Sequence, residues 1–260
     1  RSDALVALSG GVPGDLGGFA AATYMRGIPF FQIPTTILAQ IDSSVGGKVA
    51  VDLPSGKNLA GAFYQPKGVF IDPDLLKTLP TRYVHDGLAE AMKYGCIGDR
   101  ELFEIFESLE TEEDLEKHIE EIILHSVLQK TRVVEDDEFD TGKRQVLNFG
   151  HTIGHAVERY FHYSTFTHGE GVAIGMSLLT EQTEKMGFTE KGTASRLIRV
   201  LHKLSLPTSI GVPAEDLIPQ IMHDKKRRGK KITLVVLKKI GEAELLTIPT
   251  DELSRYIVTE

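Results

Sequence analysis

The chain has 260 residues, a net charge of −8, and 41% hydrophobic and 25% charged side chains. That length can bury a large core in one or two domains, and the negative charge argues against nucleic-acid binding. No apolar run reaches membrane-spanning length, and the single cysteine, Cys96, excludes an intrachain disulfide and predicts a reducing, cytoplasmic compartment.

The part of the chain up to residue 80 alternates short apolar runs with glycine-rich turns. Buried strands are predicted at 4–8, 29–34 and 69–72, and a helix is predicted at 16–24. Strand, turn, helix and strand form a βαβ unit, which predicts a parallel sheet. Because a parallel strand usually has two neighbours, we expect an exposed sheet edge beside residues 4–8.

Three segments of this part suit a phosphate or a cofactor. The glycine-rich turn 10–15 precedes a helix, where backbone N–H groups favour an anion, although a plain tight turn explains it equally well. Thr35 and Thr36 follow the second strand, where their hydroxyls would bind a cofactor or cap a helix. Lys48 and Lys57 lie in glycine-rich segments and suit an anionic group, although surface lysines are commoner.

Helical patterns dominate beyond residue 80. Apolar residues at three- and four-residue steps predict helices at 86–94, 102–109, 115–134, 170–186 and 191–204. A late hairpin is predicted at 232–237 and 244–248. The predicted organisation is an α/β part followed by a mostly helical part, with a cleft between them.

Three histidines in the second part suggest a metal site. If the chain is helical after Gly150, His151 and His155 are one turn apart and share a face. Such a pair alone is more often a surface or core pair. His168, which follows a polar and aromatic loop, and a helical glutamate far upstream favour a metal. Zinc is the first candidate, because it takes imidazole nitrogen and carboxylate oxygen.

Seven segments, in order along nearly the whole chain, resemble 3-dehydroquinate synthases. Each segment alone is weak evidence for the family. Because all seven occur in the family's order, together they indicate it specifically. They are GGVPGDL at 10–16, PTTILA at 34–39, DSSVGGK at 42–48, GKNL at 56–59, GLAEAMK at 87–93, LNFGHTIGHA at 147–156 and HGEGV at 168–172. The resemblance implies a partial Rossmann-like parallel sheet in residues 1–80, belonging to an NAD-binding α/β domain, and a mostly α-helical metal- and substrate-binding domain in residues 81–260.

The resemblance also implies an activity. Members of the family convert 3-deoxy-D-arabino-heptulosonate 7-phosphate to 3-dehydroquinate and phosphate, in the shikimate pathway of aromatic amino acid biosynthesis. Bound NAD takes a hydride from a ring hydroxyl and later returns it. Phosphate elimination, ring opening and an intramolecular aldol closure complete the reaction. A cytoplasmic homodimer with a sugar-phosphate substrate, and without membrane or nucleic-acid partners, is the corresponding expectation.

The family's functional residues carry over as three sets. The metal ligands would be Glu90, His151 and His168, with zinc the usual ion and cobalt a second candidate. The substrate and catalytic set would be Asp42, Asn58, Lys93, Lys130, Arg144, Asn148, His155 and either Lys226 or its neighbour Lys225. The NAD set would be Gly11, Val12, Gly14, Asp15, Thr35, Thr36, Lys48, Lys57, Leu75, Leu76, Lys77 and Thr78.

Two departures from the family's pattern shape the expectations. Ser9 stands where a third glycine is usual, and Pro13 removes a backbone donor from the turn. Family members also carry a further N-terminal segment that binds the adenosine half of NAD. We therefore expect a fragment with a complete metal and substrate half, which binds NAD poorly alone and pairs through its exposed sheet edge.

Three alternatives to this function stay open from the sequence. They are another sugar-phosphate cyclase, a metal-dependent NAD alcohol dehydrogenase, and an inactive metal- and anion-binding fragment. Lys130, Arg144 and Asn148 favour a carboxylated phosphate substrate over a simple polyol.

Overall fold

A computed structural model describes residues 2–54, 56–225 and 230–258 of the chain. The chain begins with β1 (Leu5–Ser9), α1 (Gly11–Thr23) and β2 (Phe30–Pro34), and β1 and β2 pair in parallel. These elements confirm the predicted βαβ unit. The helix begins five residues earlier than predicted, because the glycine-rich turn itself forms its first turn. Pro13 is tolerated there, since first-turn N–H groups have no intrahelical partner.

A hairpin that the sequence did not predict follows β2. It consists of β3 (Lys48–Leu53) and β4 (Gly56–Phe63), which pair antiparallel. The chain then returns to the first sheet as β5 (Gly68–Val69), which pairs in parallel with β2. The strand is shorter than the predicted 69–72. The sheet order is β1-β2-β5, so β2 is central.

The predicted exposed edge is present. Within the described residues β1 pairs only with β2, and Val6 and Leu8 are more than half exposed. The opposite face packs closely against α1, where a Cβ on Gly17 would lie 3.2 Å from Leu5 and Ala7 of β1 and a Cβ on Gly18 would lie 3.0 Å from Phe30 of β2. Small residues in α1 therefore serve close packing on the sheet.

The second part of the chain is mostly helical, as predicted. Its helices are α2 (Thr81–Ile97), α3 (Arg100–Ser108), α4 (Glu112–Asp136), α5 (His151–Tyr160), α6 (His168–Lys185), α7 (Thr193–Lys203) and α8 (Ile218–Lys225). The predicted late hairpin is confirmed as β6 (Lys231–Lys239) and β7 (Glu242–Pro249). No helix within the described residues is both long and apolar enough to cross a membrane.

The centre of the helical part is α2, whose residues from His85 to Ile97 are all buried. Around it, α5 and α6 cross at contact distance. A Cβ on Gly175 would lie only 2.0 Å from the Gly150 carbonyl oxygen, and a Cβ on Gly154 would lie 3.0 Å from the backbone of Gly171. Gly150 also has a φ of +78°, which favours glycine at the start of α5. Backbone contact thus fixes the spacing of the two helices.

Candidate functional site

The three predicted metal ligands come together from three helices. Glu90 lies in the buried centre of α2, while His151 and His168 are the first residues of α5 and α6. The Oε1 atom of Glu90 is 3.3 Å from Nε2 of His151 and 3.5 Å from Nε2 of His168. The start of α6 is held on α2 because the Gly169 N–H donates to Oδ1 of Asp86 at 2.6 Å.

The donor set fits a divalent metal. Oε1 of Glu90 is buried and has no hydrogen-bond partner, which is costly unless a cation faces it. Nδ1 of His151 donates to the Phe149 carbonyl at 3.0 Å, so Nε2, which points toward Glu90, is the nitrogen that could ligate a metal. One carboxylate oxygen and two imidazole nitrogens that face one point are the ligands that zinc prefers.

Charges around Glu90 keep it ionised. Burial alone would raise the pKa of Glu90, but Lys93 and then His151 outweigh it and hold that pKa well below its usual range. Lys93 is itself buried, one turn along α2, and forms a short ion pair with Oε2 of Glu90. Burial likewise opposes a charge on His168, but the carboxylates of Glu158 and Glu90 raise the pKa of His168 to about 10.

His155 is the third imidazole of the cluster. Its ring centroid lies 5.5 Å from that of His151 and 5.8 Å from that of His168. The pKa of His155 is lowered to about 4, mainly because the ring is partly removed from water and secondly because His151 and His168 lie beside it. Its ring is therefore neutral at pH 7. A neutral imidazole can accept a proton.

A cavity of about 440 Å³ opens beside these histidines. One wall is formed by α5 and the segment before it, and the other by β6 and α8. Residues in its walls include Asn148, His151, His155, Arg159, Ile221, Lys231, Thr233 and Val235. The cavity thus contains two of the predicted substrate residues, Asn148 and His155.

A second buried polar centre surrounds Asp42, in the turn that follows β2. Its Oδ1 atom accepts hydrogen bonds from Nζ of Lys130 at 2.6 Å and from the hydroxyl of Tyr94 at 2.5 Å. Burial would raise the pKa of Asp42, but Lys130 and Lys93 lower it to about 2. Burial lowers the pKa of Lys130. The structure thus joins two predicted residues, Asp42 and Lys130, directly, and adds Tyr94 as a second donor to Asp42 that the sequence analysis missed.

Arg144 is buried behind the site rather than open to the cavity. Its guanidinium donates to the Glu138 carbonyl at 2.6 Å and to the Gly46 carbonyl at 3.2 Å, while its Nε has no partner. Gly46, with a φ of +100°, leaves room for the guanidinium, since a Cβ there would lie 2.5 Å from Nη2. Nearby, Lys48 forms a short ion pair with Asp140.

Asp137 holds the segment that carries Asp140 and Arg144. Its carboxylate accepts the backbone N–H groups of Thr141 at 2.9 Å, Gly142 at 2.7 Å and Arg144 at 3.1 Å. The N–H groups of Thr141 and then Arg144 are the largest causes that lower the pKa of Asp137 to about 2. The ionised carboxylate therefore organises this segment.

We expect Asp137→Asn to lower the melting temperature at pH 7. The melting temperature of this variant should also change less between pH 7 and pH 2.5 than that of the parent chain. A carboxylate whose folded pKa is lowered stabilises the fold above its ordinary pKa of 3.8, and this stabilisation is lost as the pH falls toward 2. Melting curves at pH 7, 4 and 2.5 measure the effect. Asp136→Asn, a change at the adjacent exposed carboxylate, is the matched control. Equal pH profiles for Asp137→Asn and the parent chain would contradict the prediction.

The predicted cofactor turn adjoins the Asp42 centre. A Cβ on Gly11 would lie 3.1 Å from Oγ of Ser43, and a Cβ on Gly14 would lie 2.9 Å from Oε1 of Gln32. The first turn of α1 has no side-chain cap, so its N–H groups can face an anion. Burial is the largest cause that raises the pKa of Asp15 to about 6, against the opposing effect of Lys130.

The remaining predicted cofactor residues differ in their placement. Thr36 caps the following helical turn, since its Oγ1 accepts the Ala39 N–H at 3.2 Å. Lys57 lies 3.6 Å from Oε1 of Glu158. Lys48 and Lys57 lie on strands rather than in the glycine-rich loops predicted for them.

The other predicted cofactor and substrate residues that the structure describes lie outside the metal-ligand and Asp42 centres. Leu75, Leu76, Lys77 and Thr78 belong to a short helical turn, in which Leu76 is buried and Lys77 is exposed and paired with Asp74. Val12 is largely exposed at the start of α1. Thr35 lies between β2 and the following turn, where its N–H donates to the Ser9 carbonyl. The backbone N–H of Asn58 donates to Asp52, and Lys226 lies outside the described residues.

Comparison with known proteins decides the family. The 3-dehydroquinate synthase N-terminal family model matches residues 1–86, and the 3-dehydroquinate synthase C-terminal model matches residues 87–227. A 3-dehydroquinate synthase of Clostridium acetobutylicum is 54% identical over 258 residues, which are 99% of this chain and 72% of that protein. The chain belongs to the 3-dehydroquinate synthase family. The resemblance in its seven segments is thereby confirmed.

Solved structures agree with the 3-dehydroquinate synthase assignment. A 2-epi-5-epi-valiolone synthase from Streptomyces hygroscopicus, solved with NAD⁺ and Zn²⁺, is 28% identical with a TM-score of 0.85 over 96% of this chain and 71% of that one. A 2-deoxy-scyllo-inosose synthase with carbaglucose-6-phosphate, NAD⁺ and Co²⁺ is 28% identical with a TM-score of 0.86, over 98% and 74% of the two chains. The predicted α/β fold with a parallel sheet is confirmed. The identity to 3-dehydroquinate synthases supports the main functional prediction over its three alternatives.

Proposed function

We propose that this chain converts 3-deoxy-D-arabino-heptulosonate 7-phosphate to 3-dehydroquinate and phosphate with NAD and one divalent metal, zinc first and cobalt second. The observation that carries the proposal is the convergence of Glu90, His151 and His168 on one point beside the buried ammonium of Lys93. Structural relatives that hold NAD⁺ with Zn²⁺ or Co²⁺ support both cofactors. In this proposal the enzyme is a carbon–oxygen lyase, and it acts as a cytoplasmic homodimer.

The three ligands would hold the metal with positions left for substrate oxygens. When bound, the metal lowers the pKa of the hydroxyl to be oxidised and polarises the ketone. His151 and Glu90 are already oriented for this task by the Phe149 carbonyl and by Lys93. The chain's own contribution is therefore a fixed donor set in a buried, low-dielectric position.

Cations and amides around the cavity would bind the substrate. Lys93 lies beside the metal ligands, and neutral His155 can accept a substrate proton at the cavity wall. Asn148 would hydrogen-bond a substrate hydroxyl from the same wall. The other proposed members lie outside the lining of that cavity in the described part of the chain, with Arg144 buried behind it. They are Lys130, Arg144, Lys48, Lys57 and Asn58, and either Lys225 or Lys226 completes the set. These groups match a substrate with a carboxylate and a phosphate.

Asp42 would connect the substrate to NAD. Both donors that bind its side chain among the described residues bind Oδ1, which leaves Oδ2 for a hydroxyl. When bound, NAD takes and returns a hydride. Its pyrophosphate would face the uncapped first turn of α1, and the other proposed contacts are Thr35, Thr36 and the turn that contains Leu75–Thr78.

A phosphate-release assay tests the proposed function. The chain, supplied with zinc and with enough NAD to saturate even weak binding, is expected to release phosphate from the heptulosonate phosphate and not from glucose 6-phosphate. The product is identified as 3-dehydroquinate by mass spectrometry. Release from glucose 6-phosphate alone would favour another sugar-phosphate cyclase, and release from neither substrate would contradict the proposal.

We expect inorganic phosphate to raise the melting temperature, because it binds the folded chain among the proposed anion-binding cations. At a hundredfold excess over its dissociation constant, mass action predicts a shift of roughly 5–10 °C. Lys57→Met should reduce the shift, whereas Lys117→Met, at a similarly exposed lysine on α4, should retain it. Sodium chloride at the same ionic strength is the reference. If it raises the melting temperature as much as phosphate does, the proposed anion-binding cations do not form a phosphate site.

A further inference from the structure

A buried carboxylate lies behind the histidine cluster on α5. Glu158 is 7% exposed, and its two oxygens face different partners. Oε2 is 3.5 Å from Nδ1 of His168, and Oε1 is 3.6 Å from Nζ of Lys57. The carboxylate therefore connects α5 to both α6 and β4. No motif in the sequence distinguished it from the many other acidic residues.

The contact with His168 explains why a charge is buried there. A carboxylate removed from water needs ionic or hydrogen-bonding partners, and Glu158 has Nδ1 of His168 beside one oxygen and the ammonium of Lys57 beside the other. His151 has the Phe149 carbonyl at its Nδ1, and Glu158 takes the same place at Nδ1 of His168. Each imidazole thus has an acceptor on the side away from Glu90. Such an acceptor fixes the ring's tautomer and orientation and raises its basicity as a ligand.

We propose that Glu158 is the positioning residue for His168, holding its Nε2 toward Glu90, and that it links the metal centre to Lys57. The inference rests on the proposed metal site. The side chain of His168 is more exposed than that of His151, so packing restrains its ring less and the outer contact matters more. Lys57 also lies 4.0 Å from the ring centroid of Tyr163, which limits its other orientations.

A second arrangement of the same residues is the main competitor. His155, Glu158 and His168 each offer an atom within 4.8 Å of the others, so they could themselves ligate an ion. In that arrangement Nδ1 of His168 would bind metal rather than donate to Glu158. One feature favours the positioning role. Glu90, whose buried Oε1 has no hydrogen-bond partner, faces the other nitrogen of His168 at 3.5 Å, so the unpartnered acceptor of the cluster lies on that side of the ring.

Zinc affinity measured by competition with a chelator tests the inference. Glu158→Ala should weaken zinc binding by about 10–100-fold while one ion still binds per chain at saturation. Glu158→Gln, which keeps an acceptor but not the charge, should lie between that variant and the parent chain. Glu112→Gln, at a carboxylate that contacts His85 away from the site, is the matched control and should change nothing.

Steady-state kinetics at saturating zinc tests the link to Lys57. Glu158→Gln should raise KM for the heptulosonate phosphate, and Lys57→Met should raise KM without changing zinc affinity. Unchanged zinc affinity in both Glu158 variants would overturn the inference. It would also be overturned if the parent chain bound two zinc ions and the Glu158 variants bound one, because Glu158 would then be a ligand of the second ion. If instead His168→Ala retains its metal, the proposed metal site itself is wrong. Thermal melting of each variant separates these results from a failure to fold.

Discussion

Alanine at His151 or at His168 is expected to reduce bound metal from one ion per chain to nearly none. Each imidazole supplies one of only three protein donors, and the remaining two cannot enclose a tetrahedral ion. The measurement is elemental analysis of each purified variant after dialysis against a low concentration of zinc. Because both residues begin helices, the variants should keep their helical content by circular dichroism.

His155→Ala is the matched control for this prediction. It removes an imidazole from the same face of α5, yet His155 does not contact Glu90 in the described contacts and is assigned to the substrate. Its metal content should stay close to one ion per chain, while turnover falls. Full metal content in both His151→Ala and His168→Ala would disprove the assignment of Glu90, His151 and His168.

Gly175→Ala is expected to lower the free energy of unfolding by about 3 kcal/mol or more, since overpacking a close contact typically costs about 1–3 kcal/mol. The added Cβ would lie 2.0 Å from the Gly150 carbonyl oxygen, which is backbone and cannot turn aside. Helices α5 and α6 must therefore separate, and His151 and His168 move apart with them. Urea unfolding followed by circular dichroism measures the loss, and chelator competition should show weaker zinc binding.

The control is Gly17→Ala in α1, another glycine inside a helix. There the added Cβ would lie 3.2 Å from Cδ2 of Leu5, a side chain that can turn, and 3.2 Å from Cβ of Ala7, which needs a shift of only a few tenths of an ångström. Its effect should stay near zero, since alanine's higher helix propensity offsets the crowding. If Gly175→Ala is as stable as the parent chain, the α5–α6 spacing does not depend on backbone contact.

The sequence predicted those parts of the site that follow from local spacing. His151 and His155 share a face because four residues make one helical turn, and Lys93 lies beside Glu90 for a similar reason. The parallel sheet followed from buried apolar runs separated by a helix. In each case the decisive contacts lie within one element or between neighbours along the chain.

Other features depend on packing between distant segments and left no local signal. Tyr94 donates a hydrogen bond to Asp42, which lies 52 residues away in the sequence, and Arg144 donates one to Gly46, which lies 98 residues away. The hairpin β3–β4 was missed because its glycines and alanines give little alternation between apolar and polar residues. Glu158 was missed because only the fold shows which of many acidic side chains is buried.

The two walls of the cavity have separate origins in the chain. The wall that bears the histidines belongs to α5, whereas Ile221, Thr233 and Val235 come from α8 and β6. Substitution of Thr233, which is only partly buried, would alter the shape of the cavity while α5 and α6 keep their backbone contacts. This division would let protein engineers change the sugar that the cavity accepts without rebuilding the proposed metal centre on the opposite side.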